Sequence, residues 1–195
     1  MELTEKQKDR IKEKIRNTPL IKSLREKSLK NKEKDRCWAS NEIEKLKIDR
    51  DALLLSGTML YWAEGYNSNK NGSVVFTNTD SEMIKMIMLF FREIFLVDKL
   101  KMKVMVRIGE KGNIGRAEKY WSKITDLPIS SFQKTEILKL QDNSKSLERY
   151  PNGICRLSVY DVTVRRKIGN CIQLIKDRIS PRSSTGQSLR FLNLR

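Results

Sequence analysis

No histidine occurs among the 195 residues, which excludes serine and cysteine nucleophilic sites built on an imidazole base, and imidazole proton shuttles with them. Carboxylates, tyrosine, lysine and water remain to carry any catalysis. Cysteine is scarce: Cys37, Cys155 and Cys171 are far apart and odd in number. They suit reduced thiols in the cytoplasm better than a disulfide framework, and no close pair exists to start a zinc site. Long apolar runs are missing as well. The most apolar stretch, 83–97, contains Lys85, Arg92 and Glu93 and is shorter than the roughly 20 residues of a spanning helix. The opening MELTEKQKDR is charged from its second residue, so neither a secretory signal nor membrane attachment is expected.

What is abundant is positive charge. Lys and Arg number 40 against 24 Asp and Glu, a net +16, which points to a polyanionic partner. Residues 1–50 hold 16 basic and 10 acidic residues with few large apolar ones, and read as a solvated basic helical arm broken at Pro19. Residues 51–180 carry 21 basic and 14 acidic residues and nearly all the apolar density, so they form the globular domain. The tail 181–195 has a charge of +3 and no periodicity and is expected to be disordered.

Within the globular part, 51–65 reads as a helix capped by Asp51 and closed at Gly65, with Leu54, Leu55, Thr58, Met59 and Trp62 at helical spacing. A polar loop and a short strand at 73–79 follow. Thr79-Asp80 opens a second helix that runs to about Phe95. In 99–108, Leu100, Met102, Val104 and Val106 alternate with Lys101, Lys103 and Arg107, the pattern of a strand with one buried and one basic face. A short helix through Ala117, Tyr120, Trp121 and Ile124 comes next, its aromatic residues spaced for core packing. Strands at 131–140 and 153–161 and a final helix over 162–179 complete the reading. The fold class is α+β: a mixed sheet of about four strands with helices on one face. Gly109, Gly112 and Gly115 follow a strand, but their spacing and the lack of a GK[ST] ending exclude a phosphate loop.

The most informative segment is LSGTMLYWAEGYNS, 55–68. It places a carboxylate, Glu64, at a helix C-terminus, where the helix dipole is also negative and a cation would compensate. This motif, with FTNTD at 76–80, GICR at 153–156 and the order strand, long apolar helix, basic strand, hairpin and last helix, resembles the LAGLIDADG homing-endonuclease superfamily. The likeness is narrower still to an uncharacterised prokaryotic group with a YWAEG-type motif, and covers about 53–179. The resemblance implies that the motif helix packs on a partner helix and that the acid before the closing glycine binds Mg²⁺ at scissile phosphates. Carried onto this chain, Glu64 is the catalytic and metal-binding residue with Gly65 beside it, and Gly57, Leu60, Tyr61 and Ala63 form the dimer interface. One motif supplies one acid, so the resemblance implies a homodimer. Two departures stand out: Glu replaces the usual Asp, and Tyr61-Trp62 replace small aliphatic residues. Metal-assisted hydrolysis needs no imidazole, in keeping with the absence of histidine. Relatives of this kind commonly carry a helix-turn-helix segment before a basic arm, and this chain is expected to begin inside that arm.

The resemblance also implies that the sheet face opposite the helices lies in the major groove of double-stranded DNA, where Lys and Arg read guanine or hold phosphates. Lys101, Lys103 and Arg107 are the first candidates, with Lys70, Lys111, Lys134 and Arg156 beside them. The alternatives are a non-catalytic DNA-binding regulatory protein on the same scaffold and a general nucleic-acid or ribosome-associated basic protein.

Overall fold

The computed structural model describes residues 4–16, 18–66, 72–138 and 150–179; the expected disordered tail and Lys70 lie outside the described residues. The chain divides into two compact units, 1–48 and 49–195. The first holds α1 (Glu5–Arg16) and α2 (Pro19–Glu44). Pro19 sits in the first turn of α2 behind an extended Thr18, which is where a residue without an N–H fits and where a preceding helix must stop. Helix α2 buries none of its residues. Its stability therefore comes from intrinsic propensity and surface pairs such as Lys45 with Glu42 at 2.6 Å.

The second unit begins with α3 (Arg50–Glu64). Its cap is Asp49, whose carboxylate accepts from the Asp51 and Ala52 N–H groups, both at 3.0 Å. The expected cap, Asp51, lies instead in the first turn, where its charge still complements the positive helix end. Next come β1 (Gly65–Tyr66), β2 (Val74–Asn78) and α4 (Ser81–Leu89), which is prolonged by a π-helical turn over Phe90–Ile94. A 3-10 turn, Lys99–Lys101, precedes β3 (Met102–Gly109) and α5 (Ile114–Thr125). Strands β4 (Glu136–Leu138) and β5 (Ile154–Val159) and helix α6 (Val162–Ile179) complete it.

Among the described residues the sheet has five strands in the order β1-β2-β5-β3-β4, antiparallel throughout except for the parallel pair β3 and β4. The α+β class is as expected, with one strand more than the four read from the sequence. The extra strand is β1, two residues too short to carry a period. The strand expected at 131–140 has only Glu136–Leu138 as described strand, because Ile129–Ser131 winds into a 3-10 turn after Pro128.

Burial in β3 alternates strictly: Met102, Val104, Val106 and Ile108 are buried, and the residues between them are half-exposed. Cross-strand register carries this onto the neighbours. Val104 pairs with Leu157, which pairs with Phe76, and Met102 pairs with Val159, which pairs with Val74. These residues form one core with Tyr61 of α3, Ile84 and Ile87 of α4, Trp121 of α5 and Ile168 of α6. All four helices of the unit thus pack on the same face of the sheet. Trp121 is fully buried, and its indole N–H donates to the Asn152 carbonyl at 2.7 Å, which fastens the approach to β5.

The closest approach inside this core is between α3 and the π-helical turn. A Cβ on Gly57 would stand 2.3 Å from the Phe90 ring, and Phe90 is fully buried, so only glycine fits. One residue on, the Thr58 hydroxyl is buried without a partner among the described residues. This turn yields two expectations of opposite sign. Gly57→Ala gains about 1 kcal/mol of helix propensity, but overpacking against an immobile ring costs more, about 1–3 kcal/mol, so the urea midpoint falls. Thr58→Val removes a desolvated, unpaired hydroxyl and raises stability by about 1 kcal/mol; a lowered midpoint would contradict it.

Candidate nucleic-acid interface

The alternation that buries one side of β3 under the described helices of this unit turns the intervening residues to the opposite side. Lys103, Met105 and Arg107 point there from β3. By register they share that face with Ser158, Arg156 and Ile154 of β5, Val75 and Thr77 of β2, Tyr66 of β1 and Glu136 of β4. Val75 and Ser158 at its centre are buried; Lys103, Met105, Arg107 and Arg156 are half-buried. Three cations stand against one carboxylate, so the face is basic.

The nominated DNA-binding residues distribute unevenly over it. Lys103 and Arg156 lie on the face, Arg156 between Met105 and Thr77. Arg107 lies there too, but its Nε donates to Glu136 Oε2 at 2.7 Å and its Nη2 to Oε1 at 3.3 Å. Lys101 corrects the strand reading. Asp98 accepts from the Leu100 N–H at 2.8 Å and winds Lys99–Lys101 into a turn, so Leu100 is 84% exposed instead of buried. The Lys101 ammonium then bonds Asp161 at 2.7 Å. Asp161 also accepts from the Thr163 and Val164 N–H groups at 2.9 and 3.2 Å, so it caps α6 and ties that helix to β3. Lys134 is exposed just before β4, and Lys111 is exposed in the turn after β3. Glu136, Met105 and Tyr66 belong to the face and were not among the expected residues. Met105 followed from the strand period alone, whereas Tyr66 and Glu136 required the pairing register.

Helix α3 corrects the expected interface. Gly57 and Tyr61 are buried within their own chain, Gly57 under Phe90, and the Tyr61 hydroxyl donates to the Tyr66 carbonyl at 3.2 Å. Burial raises the Tyr61 phenol above its ordinary value, with the Val75 backbone and Arg165 pulling it partway back. These two residues therefore cannot form a seam with another chain. Leu60 is half-buried and Ala63 exposed. The outer face instead presents Leu55, Met59 and Trp62, 39–54% exposed and spaced i, i+4, i+7, with the Lys176 ammonium 4.8 Å from the Trp62 ring centroid. Glu64 is exposed at the end of α3. Gly65 follows because a Cβ there would lie 2.4 Å from the Tyr61 carbonyl oxygen and 2.6 Å from its ring.

Among the described residues, no three His, Cys, Asp or Glu side chains gather into a group able to hold a metal ion. One chain offers Glu64 as a single hard oxygen donor, which fits Mg²⁺ in type but needs further oxygens from a substrate phosphate and a second carboxylate. Burial raises the Cys155 thiol and makes it inert. A concavity of about 230 Å³ between α4 and α5 is lined by Lys85, Met88, Leu89, Arg92, Ile124, Thr125 and Asp126. Its polar groups are already engaged: Lys85 with Glu82, Arg92 and Lys99 with Asp126, and Thr125 with the Trp121 carbonyl. No described helix is long and apolar enough to cross a membrane.

Ion pairs around the sheet set a pH dependence. Hydrogen bonds from Lys101, Lys99 and Arg107 hold the Asp161, Asp126 and Glu136 carboxyls below their ordinary values of 3.8, 3.8 and 4.5. Stability from these groups is fully present above those values and is lost as pH falls through the lowered ones. Lys101 is raised above 10.5 by Asp161, so its share is lost only at alkaline pH beyond that value. The urea midpoint is expected to be flat from about pH 5 to pH 9 and to fall below about pH 4. Asp161→Asn should flatten the acid limb; an unchanged limb would contradict the pair's role. Compared with protein-family models, curated proteins and solved structures, the chain finds no match in any of the three.

Proposed function

We propose that the second unit is a LAGLIDADG-like domain that binds double-stranded DNA through the helix-free face of its sheet. The observation that carries this reading is the placement of Lys103, Arg107 and Arg156 together on the face of the sheet opposite the described helices of the unit, within a chain of net charge +16. A β-surface of this kind enters the major groove, and cations on it displace counterions from phosphates. The one-sided helices and the order of motif helix, strand, apolar helix, basic strand and last helix support the resemblance. Homodimerisation is part of the same proposal, through the exposed Leu55, Met59 and Trp62 of α3 and not through Gly57 and Tyr61. An apolar helical stripe of this spacing suits a second copy of the same helix.

A second reading, hydrolysis of DNA phosphodiesters, is favoured by one observation: Glu64 is exposed where α3 ends and the edge strand β1 begins. Two chains joined along α3 would bring two such carboxylates toward the bound duplex. Mg²⁺ held by them would activate water and stabilise the charge developing on the scissile phosphate.

Binding of a labelled duplex, followed by fluorescence anisotropy over a range of salt, tests the first reading. The logarithm of affinity should fall steeply with the logarithm of salt, and Lys103→Ala with Arg156→Ala should lower that slope by about 2. Equal slopes would place the contact elsewhere, and equal binding of RNA would favour a general nucleic-acid protein. Incubation with supercoiled plasmid and Mg²⁺ tests the second: nicking by the native chain should vanish in Glu64→Gln, and nicking that survives in that variant would remove Glu64 from the chemistry.

A further inference from the structure

Arg107 differs from the other cations of the face in being held. Strand β4 lies parallel to β3 with Glu136 in register with Arg107, so the carboxylate is delivered by the backbone to the side of the guanidinium. Both of its oxygens are used, Oε2 by Nε at 2.7 Å and Oε1 by Nη2 at 3.3 Å. On the opposite side of β3, Arg107 pairs with Ile154. Gly153 precedes it at φ +65, and a Cβ there would lie 2.4 Å from the Arg107 carbonyl oxygen. The backbone of Arg107 is therefore clamped from both neighbouring strands and its side chain from one edge. The side chains of the pair remain 35% and 46% exposed.

A guanidinium carries five N–H donors. Glu136 engages one on Nε and one on Nη2, which leaves the second Nη2 hydrogen and both on Nη1, and the Nη1 and Nη2 donors form a parallel fork on the far edge. Two kinds of ligand match such a fork. A phosphate would bring a second negative charge close to Glu136, and although Arg156 also attracts that carboxylate through space, like charges at that range repel. The Hoogsteen edge of guanine presents N7 and O6 as two neutral acceptors at the spacing of the fork, and carries no such penalty. Lys103 and Arg156 are suited to phosphates: neither makes a bidentate pair among the described residues, and Arg156 feels Glu136 only through space.

We propose that Arg107 reads a guanine in the major groove and that Glu136 is its positioning residue, fixing the guanidinium so that only the Nη1–Nη2 edge faces the base. The proposal rests on the duplex-binding reading above and adds a sequence preference to it. Glu136 would thus serve specificity and not merely cancel charge.

The test is selection of bound duplexes from a pool randomised over about 20 base pairs, using the full chain and the variants Arg107→Lys and Glu136→Gln. The native chain should enrich a guanine at one position. Both variants should lose that enrichment while keeping preferences elsewhere, and Glu136→Gln, with one charge less to oppose DNA, should bind unselected duplex more tightly. Replacing the selected guanine with 7-deazaguanine, which lacks N7, should weaken the native chain about tenfold and leave Arg107→Lys unaffected, a result that does not depend on how a Glu136 variant folds. If Glu136→Gln binds more tightly with its guanine preference intact, Glu136 is only a competitor for Arg107 and the proposal fails. Failure of the native chain to bind any duplex would instead overturn the DNA-binding reading, and the proposal with it.

Discussion

Everything in the second unit depends on the two-residue period of β3 and on its fixed register between β5 and β4. Met102, Val104, Val106 and Ile108 lie under the helices, and Lys103, Met105 and Arg107 lie on the other side. A slip of one residue would bury two cations and expose four core side chains, so register here is worth many kcal/mol in aggregate. Two features hold it. Gly153 allows a backbone approach that any Cβ would block, and Arg107 with Glu136 fastens the parallel edge. The basic face is therefore the remainder of the folding pattern: the residues that cannot enter the core are gathered on one surface because their neighbours must.

Helix α3 shows how one sequence serves two surfaces. Its inner stripe of Gly57, Thr58 and Tyr61 meets Phe90, Phe91 and β2, and the small residue that suggested a seam between chains is consumed by that contact. Among the described residues, the outer stripe of Leu55, Met59 and Trp62 stays exposed, with the Lys176 ammonium over the Trp62 ring. Both stripes were visible in a helix that is apolar around most of its circumference, but the sequence alone does not say which stripe turns inward. The deciding fact is the π-helical turn, which carries Phe90 and Phe91 together into the core beneath Gly57. Nothing local marks that turn, since the second helix reads as unbroken to Phe95.

Long periodic elements were legible: the break at Pro19, α3 up to Gly65, the burial alternation of β3, and α6. Features that depend on partners distant in sequence were not. Lys101 carries the parity of a strand residue, yet Asp98 caps a turn beneath it and Asp161 captures its ammonium from 60 residues away. Glu136 falls within the strand expected at 131–140, and its bearing on Arg107 exists only through a parallel pairing that no hairpin signal announces. Asp49, two residues before the expected Asp51, is the cap because its carboxylate accepts from the Asp51 and Ala52 N–H groups. A basic sheet face was thus legible, with all three of its cations; how Arg107 is held by Glu136 had to come from the fold.

The central claim is that duplex DNA meets the helix-free face of the sheet. Methionine methyl groups report on it directly, since among Met59, Met83, Met86, Met88, Met102 and Met105 only Met105 lies on that face, beside Arg156. In a spectrum of the protein carrying ¹³C-methyl methionine, addition of a duplex should shift and broaden the Met105 signal and leave those of Met83 and Met86 in place. Shifts at Met83 and Met86 with Met105 unmoved would put the nucleic acid on the helices and contradict the account.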